Sequence, residues 1–374
     1  IWWDNVKILT NRLLKNNIIG KNEIVSIGIS YQMHGLVIVD DNQKILRPSI
    51  IWCDSRAVEI GNNAFNTIKS GYCLNNLLNS PGNFTASKLR WVKENEPEIY
   101  SRISKAMLPG DFIAMKLTGE VTTTVSGLSE GILWDFKKSG ISEEILEHYE
   151  IDSKILPDIR PAFSVQGKVT PRAAEELGLK TGTPVSFRAG DQPNNAFSLN
   201  VLNAGEIAAT AGTSGVIYGV IDKTNFDKYS RVNQFAHVNY TAENPSLGVL
   251  LCINGTGIQN SWIRKQFAPE LSYDSINKLA GGIPIGSEGI SVIPFGNGSE
   301  RVLQNKNIMG NILGLDFNRH TRDHIFRAAQ EGIAFSLKYG VDIMKEMGLK
   351  ISVIRAGRAN MFLSPVFRET LSNV

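Results

Sequence analysis

FRAGDQPNNA, residues 187–196, is the stretch on which the reading of this chain turns. It closes a predicted strand, Thr183-Pro-Val-Ser-Phe187, turns sharply at Gly190, and opens a helix whose first turn suits Pro193. Asp191 stands on that corner. A carboxylate where a strand ends and a helix begins projects from the sheet edge into the cleft above, which is where an α/β enzyme keeps a general base. Asp, Asn and Gln beside Pro also cap helices and form turns, so the segment alone leaves catalysis and capping both open.

The bulk of the chain sets bounds. Its 374 residues exceed one ordinary core and predict two domains, with the boundary near residue 200, as 1–200 and 201–374. With 42% apolar and 20% charged residues and 34 glycines, the composition is that of a globular protein rich in turns. A net charge of +3 points to neither nucleic acid nor an anionic membrane as partner. Cys53, Cys73 and Cys252 lie far apart, which predicts no disulfide framework, no zinc site and a reducing compartment. No apolar run reaches the length of a membrane span and the first residues have no signal-peptide layout, so a cytoplasmic location is expected.

Along the chain, residues 1–16 read as an amphipathic helix, followed by strands at 24–29, 36–39 and 50–52. Residues 86–117 read as helical, with Asp111 as a cap of the part that ends at Gly119. A fresh β meander begins after Asn203, at 206–210, 214–218 and 237–240. A long helix is expected from Arg322 to Met347, with Gly332 and Gly340 marking close packing, and a strand at 351–354 follows.

Four further motifs carry chemistry. Ala211-Gly212-Thr213-Ser214-Gly215 lies between two strands and is either an ordinary β-turn or a donor-rich nest for phosphate oxygens. Gln32-Met33-His34-Gly35 follows a strand, where the histidine can meet a polyol, act as acid or base, or satisfy a turn. Trp52-Cys53-Asp54-Ser55-Arg56 combines an aromatic wall, a carboxylate and a cation, a mixture that suits a sugar and equally a surface ion pair. Gly296-Asn297-Gly298 and Ala356-Gly357-Arg358-Ala359-Asn360 each follow a strand, and either orders a nucleotide or forms a plain turn.

Taken together, segments 27–56, 83–100, 107–120, 187–215, 293–301 and 310–337 closely resemble the FGGY family of carbohydrate kinases, and within it the xylulose kinases. The Gln-Met-His-Gly and Gly-Asp-Gln-Pro-Asn-Asn pieces carry the finer likeness. The resemblance implies an α/β fold of two ribonuclease H-like, actin-like domains with an interdomain cleft. It implies phosphorylation of D-xylulose to D-xylulose 5-phosphate with ATP and Mg²⁺, and a homodimer is compatible with it. By resemblance, Asp191 is the base, and Met33, His34, Trp52, Asp54 and Gln192 form the sugar side. Gly212, Thr213, Ser214, Gly296, Gly357, Arg358 and Asn360 form the nucleotide side, while the metal ligands are unassigned.

Parts of the family pattern have no counterpart. The opening Asp-x-Gly-Thr hairpin is missing, the pattern stops at Val374, and Arg358 stands where many relatives have glycine. The resemblance therefore implies a chain incomplete at both ends, with little or no activity. The alternatives are a kinase for ribulose, gluconate, glycerol or another ketose or polyol, and a non-catalytic actin-like sugar sensor that keeps the fold.

Overall fold

A computed structural model describes residues 1–16, 19–304 and 306–374. The chain divides into two compact units, one of residues 1–195 with 235–247, the other of residues 196–234 with 248–374.

In the first unit, two parallel strands, Ile27–Tyr31 and Val185–Gly190, run side by side with Tyr31 opposite Gly190. Helix Pro109–Thr118 covers them so closely that a Cβ on Gly110 would stand 2.1 Å from the Tyr31 ring, leaving glycine as the residue that fits. The amphipathic helix Trp2–Lys15 buries Trp3, whose Nε1 donates to Glu176 at 2.6 Å on helix Pro171–Leu177. Trp3, Ile29, Tyr31, Leu117 and Val185 share one apolar core with these helices.

Beneath the strands lies a buried ion pair. Arg188 is fully buried, and its Nε meets Asp111 Oδ1 at 3.1 Å. Arg188 Nη2 also donates to the carbonyl and hydroxyl of Thr122, at 2.8 and 3.1 Å. Asp111 accepts the Leu108 backbone N–H at 3.1 Å and so caps its helix as expected. Its second partner, Arg188, fixes the strand three residues before Asp191.

The second unit is built on a five-stranded sheet, in the order Asn233–Ala236, Leu247–Ile253, Gly215–Ile221, Glu206–Ala211, Val353–Ala356. Where its strands Asn233–Ala236 and Leu247–Ile253 connect, residues 235–247 belong to the first unit. Helix Arg322–Glu346 is the long element of this unit. It does pack closely at its glycines: a Cβ on Gly332 would lie 2.0 Å from the Val292 carbonyl oxygen, and one on Gly340 2.8 Å from Leu251.

Several sequence expectations need correction. The stretch 86–117 is not one helical run, because the short strand Lys105–Met107 pairs with Val37–Val39 between two helices. Ile50 makes an isolated bridge to Leu36 and no strand forms at 50–52. The third strand of the meander is Asn233–Ala236, not 237–240. Among the described residues no helix is long and apolar enough to cross a membrane.

Candidate functional site

Asp191 opens the helix that follows the Val185–Gly190 strand. The neighbouring parallel strand ends at Tyr31 and runs directly into Gln32, Met33 and His34. The base candidate and the Met33–His34 turn therefore leave the same edge of the same strand pair, the carboxyl ends where α/β sheets place ligands. Gly190 is required for a different reason from the one the sequence suggested. Its φ is not in the left-handed region; instead an added Cβ would stand 2.5 Å from Met33 Cγ and 2.7 Å from Glu130 Oε2. The corner is tight because three residues meet on it.

Asp191 is exposed as a residue, yet desolvation of its carboxyl by the surrounding protein raises its pKa, against hydrogen bonds from Gln192 that lower it. Gln192 Nε2 lies 3.5 Å from its Oδ2. His34 sits at φ 63°, with Nδ1 2.9 Å from the Glu130 carbonyl oxygen. Its ring packs edge-on against Phe84 at 4.6 Å and against Phe235 at 5.2 Å. Left-handed backbone and two aromatic walls leave this histidine one orientation.

The Trp52–Arg56 segment is tied to the same turn. Asn83 Nδ2 donates to the Asp54 carbonyl at 2.7 Å, and two residues later helix Thr85–Asn95 begins. Lys88 on that helix is fully buried and donates to the His34 carbonyl at 2.8 Å. Burial lowers the Lys88 pKa to about 8, opposed by the negative charge of Asp54. Asp54 has its own partner: Arg56 bonds both its oxygens, at 2.9 and 2.7 Å, and holds its pKa below the ordinary value. Trp52 is 61% exposed, a free aromatic face. Lys88, His34 and Glu130 thus form a chain of contacts that reaches the Gly190 corner before Asp191, with the Asp54 charge acting on Lys88 from a distance.

A cavity of about 630 Å³ in this unit lies elsewhere, along Ile27–Tyr31, with Trp2, Val6, Ile113 and Leu117 in its wall. It is apolar and touches none of Asp191, Met33 or His34.

In the second unit, strands Glu206–Ala211 and Gly215–Ile221 pair antiparallel, so Gly212, Thr213 and Ser214 form the hairpin tip. Gly212 and Thr213 line a cavity of about 440 Å³ with Gly257, Asn260, Ser261 and Asn360. The Gly257 N–H donates to the Gly212 carbonyl at 2.8 Å, and a Cβ there would stand 2.3 Å from that oxygen. Only glycine lets the start of helix Gly257–Phe267 approach the hairpin this closely. Hydroxyls, amides and a helix start around one cavity suit a polyphosphate ligand.

The other nucleotide-side residues are dispersed. Ser214 is not in this cavity's wall, and Gly296 lines a separate one of about 480 Å³ beside Trp262 and Ile312. No atom comes within 4 Å of a Cβ built on Gly357, and Arg358 is exposed. Asn360, at φ 53°, is the member of that segment that reaches the hairpin, its Nδ2 3.6 Å from a Cβ built on Gly212. Sequence reasoning missed Gly257, Asn260 and Ser261, although Gly255-Thr256-Gly257 between an apolar strand and a helix was a signal of the right kind. It also missed Lys88 and Glu130, which carry no motif.

Known proteins point the same way. Residues 1–198 match the N-terminal domain of the FGGY family of carbohydrate kinases. The xylulose kinase of Haemophilus influenzae is 30% identical over 89% of this chain and 67% of its own length. That of Bacillus subtilis is 29% identical over 87% of this chain and 65% of its own length, so the chain spans about two thirds of these relatives. The structure of the Rhodospirillum rubrum xylulose kinase superposes with a TM-score of 0.88 at 25% identity, over 99% of this chain and 74% of that one. A gluconate kinase from Lactobacillus acidophilus shares the fold, with a TM-score of 0.88 at 23% identity over 100% of this chain and 74% of that one. An α/β chain with this edge, this hairpin and these relatives belongs to the FGGY family of carbohydrate kinases.

Proposed function

We propose that the protein transfers the γ-phosphoryl group of ATP to the 5-hydroxyl of D-xylulose, with Asp191 as general base. The observation that carries this reading is the shared strand edge, which sets Asp191 beside the Met33–His34 turn in a chain whose relatives are named xylulose kinases. Met33, His34, Gln192, Trp52 and Asp54 bind the sugar, and its C–H face has the open Trp52 ring to stack on. Gly212, Thr213 and Asn360, joined by Gly257, Asn260 and Ser261, hold the nucleotide phosphates. Gly296, Ser214, Gly357 and Arg358 are secondary on this reading.

The chemistry asks little of the nucleophile. As the sugar oxygen bonds to phosphorus and ADP departs, the hydroxyl proton passes to the Asp191 carboxylate, whose raised pKa makes it a better acceptor than an ordinary aspartate. Most of the rate comes from orientation, which the crowded corner at Gly190 and the single setting of His34 supply. ATP, when bound, provides the transferred group. Among the described residues no group of three or more His, Cys, Asp and Glu side chains could hold a metal ion. These residues therefore do not form a dedicated Mg²⁺ cage. Mg²⁺ commonly binds through substrate phosphates and retained waters.

The test is ADP release by the whole protein with D-xylulose, L-ribulose, glycerol and gluconate in turn, repeated with Asp191→Asn. D-Xylulose is expected to be turned over best, and the variant to lose at least about a hundredfold in kcat while still binding sugar. Release with glycerol or gluconate alone overturns the substrate, near-normal turnover by the variant overturns the base, and release with no sugar leaves a sugar sensor.

A further inference from the structure

Glu130 ends helix Val125–Glu130 with its side chain wholly buried, and the reaction above gives it no task. Its carboxyl group faces the Tyr31 hydroxyl on one strand and the His34 backbone N–H on the turn. The side chain presses on the tight corner: Oε2 stands 2.7 Å from where a Gly190 Cβ would be, and Met33 Cγ 2.5 Å from the same point. On its backbone side the Glu130 carbonyl oxygen faces His34 Nδ1 at 2.9 Å. One residue therefore meets the strand end before Asp191, the Met33 side chain and the His34 ring.

We propose that Glu130 is a positioning residue of the sugar site, clamping the Gly190–Asp191 corner to the Met33–His34 turn. This rests on the sugar-kinase reading. A carboxylate buried this deeply with no cation beside it is costlier than the neutral acid. Burial accordingly drives the Glu130 pKa well up, against the Tyr31 and His34 hydrogen bonds, which lower it, and with the charges of Asp111 and Asp191, which raise it further. The groups facing it are Tyr31 on one strand, His34 on the turn, Asp111 on the covering helix with Arg188 as its partner, and Asp191. Tyr31 is itself kept protonated by burial. Arg188 is paired with Asp111, so no cation in this set is left for Glu130. The shift favours the protonated form of Glu130, so that the corner carries less negative charge beside Asp191. Loss of that proton as pH rises would place a second negative charge behind the proposed base and loosen the clamp.

The experiment compares the wild type with Glu130→Gln, which keeps the shape and never ionises, and Glu130→Ala, which removes the clamp. The Ala variant is expected to lose about tenfold or more in kcat for D-xylulose with little change in the KM for ATP. The Gln variant is expected to restore turnover to within about threefold and to lack the wild type's alkaline fall in kcat/KM. A second measurement needs no turnover, so it stands even where the kinase reading fails: the melting temperature of the Gln variant relative to wild type between about pH 5 and pH 8. A carboxyl whose folded pKa lies above its unfolded value supports the fold fully below the unfolded value and loses that support as pH rises toward the folded one. The Gln variant should therefore gain on wild type as the pH climbs. A pH-independent difference, a Gln variant as impaired as Ala, or an Ala variant with wild-type kcat and KM overturns the proposal. Absence of wild-type turnover with every sugar instead overturns the function proposed above and leaves the melting curves to decide on Glu130.

Discussion

Arg188 and Asp111 offer a quantitative test of how the Asp191 corner is held. The guanidinium is fully buried, the carboxylate nearly so, and Nε and Oδ1 are 3.1 Å apart. At an effective dielectric of about 20 that separation corresponds to an attraction of about 5 kcal/mol. Desolvation opposes it strongly enough that burial outweighs Arg188 and leaves the Asp111 pKa raised. The intact pair therefore contributes little net stability, whereas half a pair leaves a buried charge alone, at a cost of about 3–5 kcal/mol. We predict that Arg188→Met and Asp111→Asn each destabilise the first unit by that amount. The double variant should recover at least about 2–3 kcal/mol of the summed loss, since the two side chains touch. Urea unfolding followed by tryptophan fluorescence reads this unit well, because Trp2, Trp3, Trp52, Trp91 and Trp134 lie in it and Trp262 alone lies in the other. Single variants that each cost less than about 1 kcal/mol, or losses that simply add, would refute the reasoning.

Other outcomes follow from single contacts. Gly332→Ala should lower stability by about 1–3 kcal/mol in chemical denaturation, because its Cβ would lie 2.0 Å from the Val292 carbonyl oxygen and that clash exceeds the roughly 1 kcal/mol helix preference of alanine. Gly257→Ala should raise the KM for ATP about tenfold and leave that for sugar nearly constant, since its Cβ would displace the Gly212 carbonyl; equal effects on both would separate that cavity from the nucleotide. If Asp191 is the base, as proposed, activity should fall on acidification at a higher pH than an ordinary aspartate, near 3.9, would dictate, because its pKa is raised; a kcat/KM profile locates the limb. Lys88, with its pKa lowered to about 8, is bound to fewer protons when folded than when unfolded at higher pH. Stability should therefore rise from about pH 8 toward the unfolded lysine value near 10.4, and Lys88→Met should flatten that rise in melting curves.

The parts of the site that were legible in the sequence are those made by local geometry. A strand, a glycine and an acid before a helix announce themselves over ten residues, and so does a Gly-Thr-Ser tip between two β segments. The parts that were not legible are made by tertiary burial. Glu130 sits in Thr-Thr-Val-Ser-Gly-Leu-Ser-Glu130, where a final glutamate looks like any solvated helix end. Lys88 sits among Arg90, Lys93 and Glu94 on a helix whose charges read as its wet face. The strand Lys105–Met107 was absorbed into a helical reading because three residues are too few to show alternation. Gly190 was recognised for the wrong cause, since backbone freedom and close approach leave the same letter in a sequence.

Glu130 and Lys88, missed in this way, share the first unit's interior with the Arg188–Asp111 pair. Arg188, Asp111, Glu130 and Lys88 all lie within the first unit's interior, and each reaches the strand ends or the turn that carry Asp191, Met33 and His34. A core chosen only for stability would place apolar side chains there, since replacing a buried ion pair by packed hydrocarbon is often neutral or favourable. Polar groups resist small shifts because any displacement strands a charge or an unpaired oxygen, and that stiffness is what a reaction governed by orientation needs. The conflict between local pattern and burial at these four positions is therefore itself a mark of the site. On the proposed reading, it puts the rigid part of the sugar side behind Asp191.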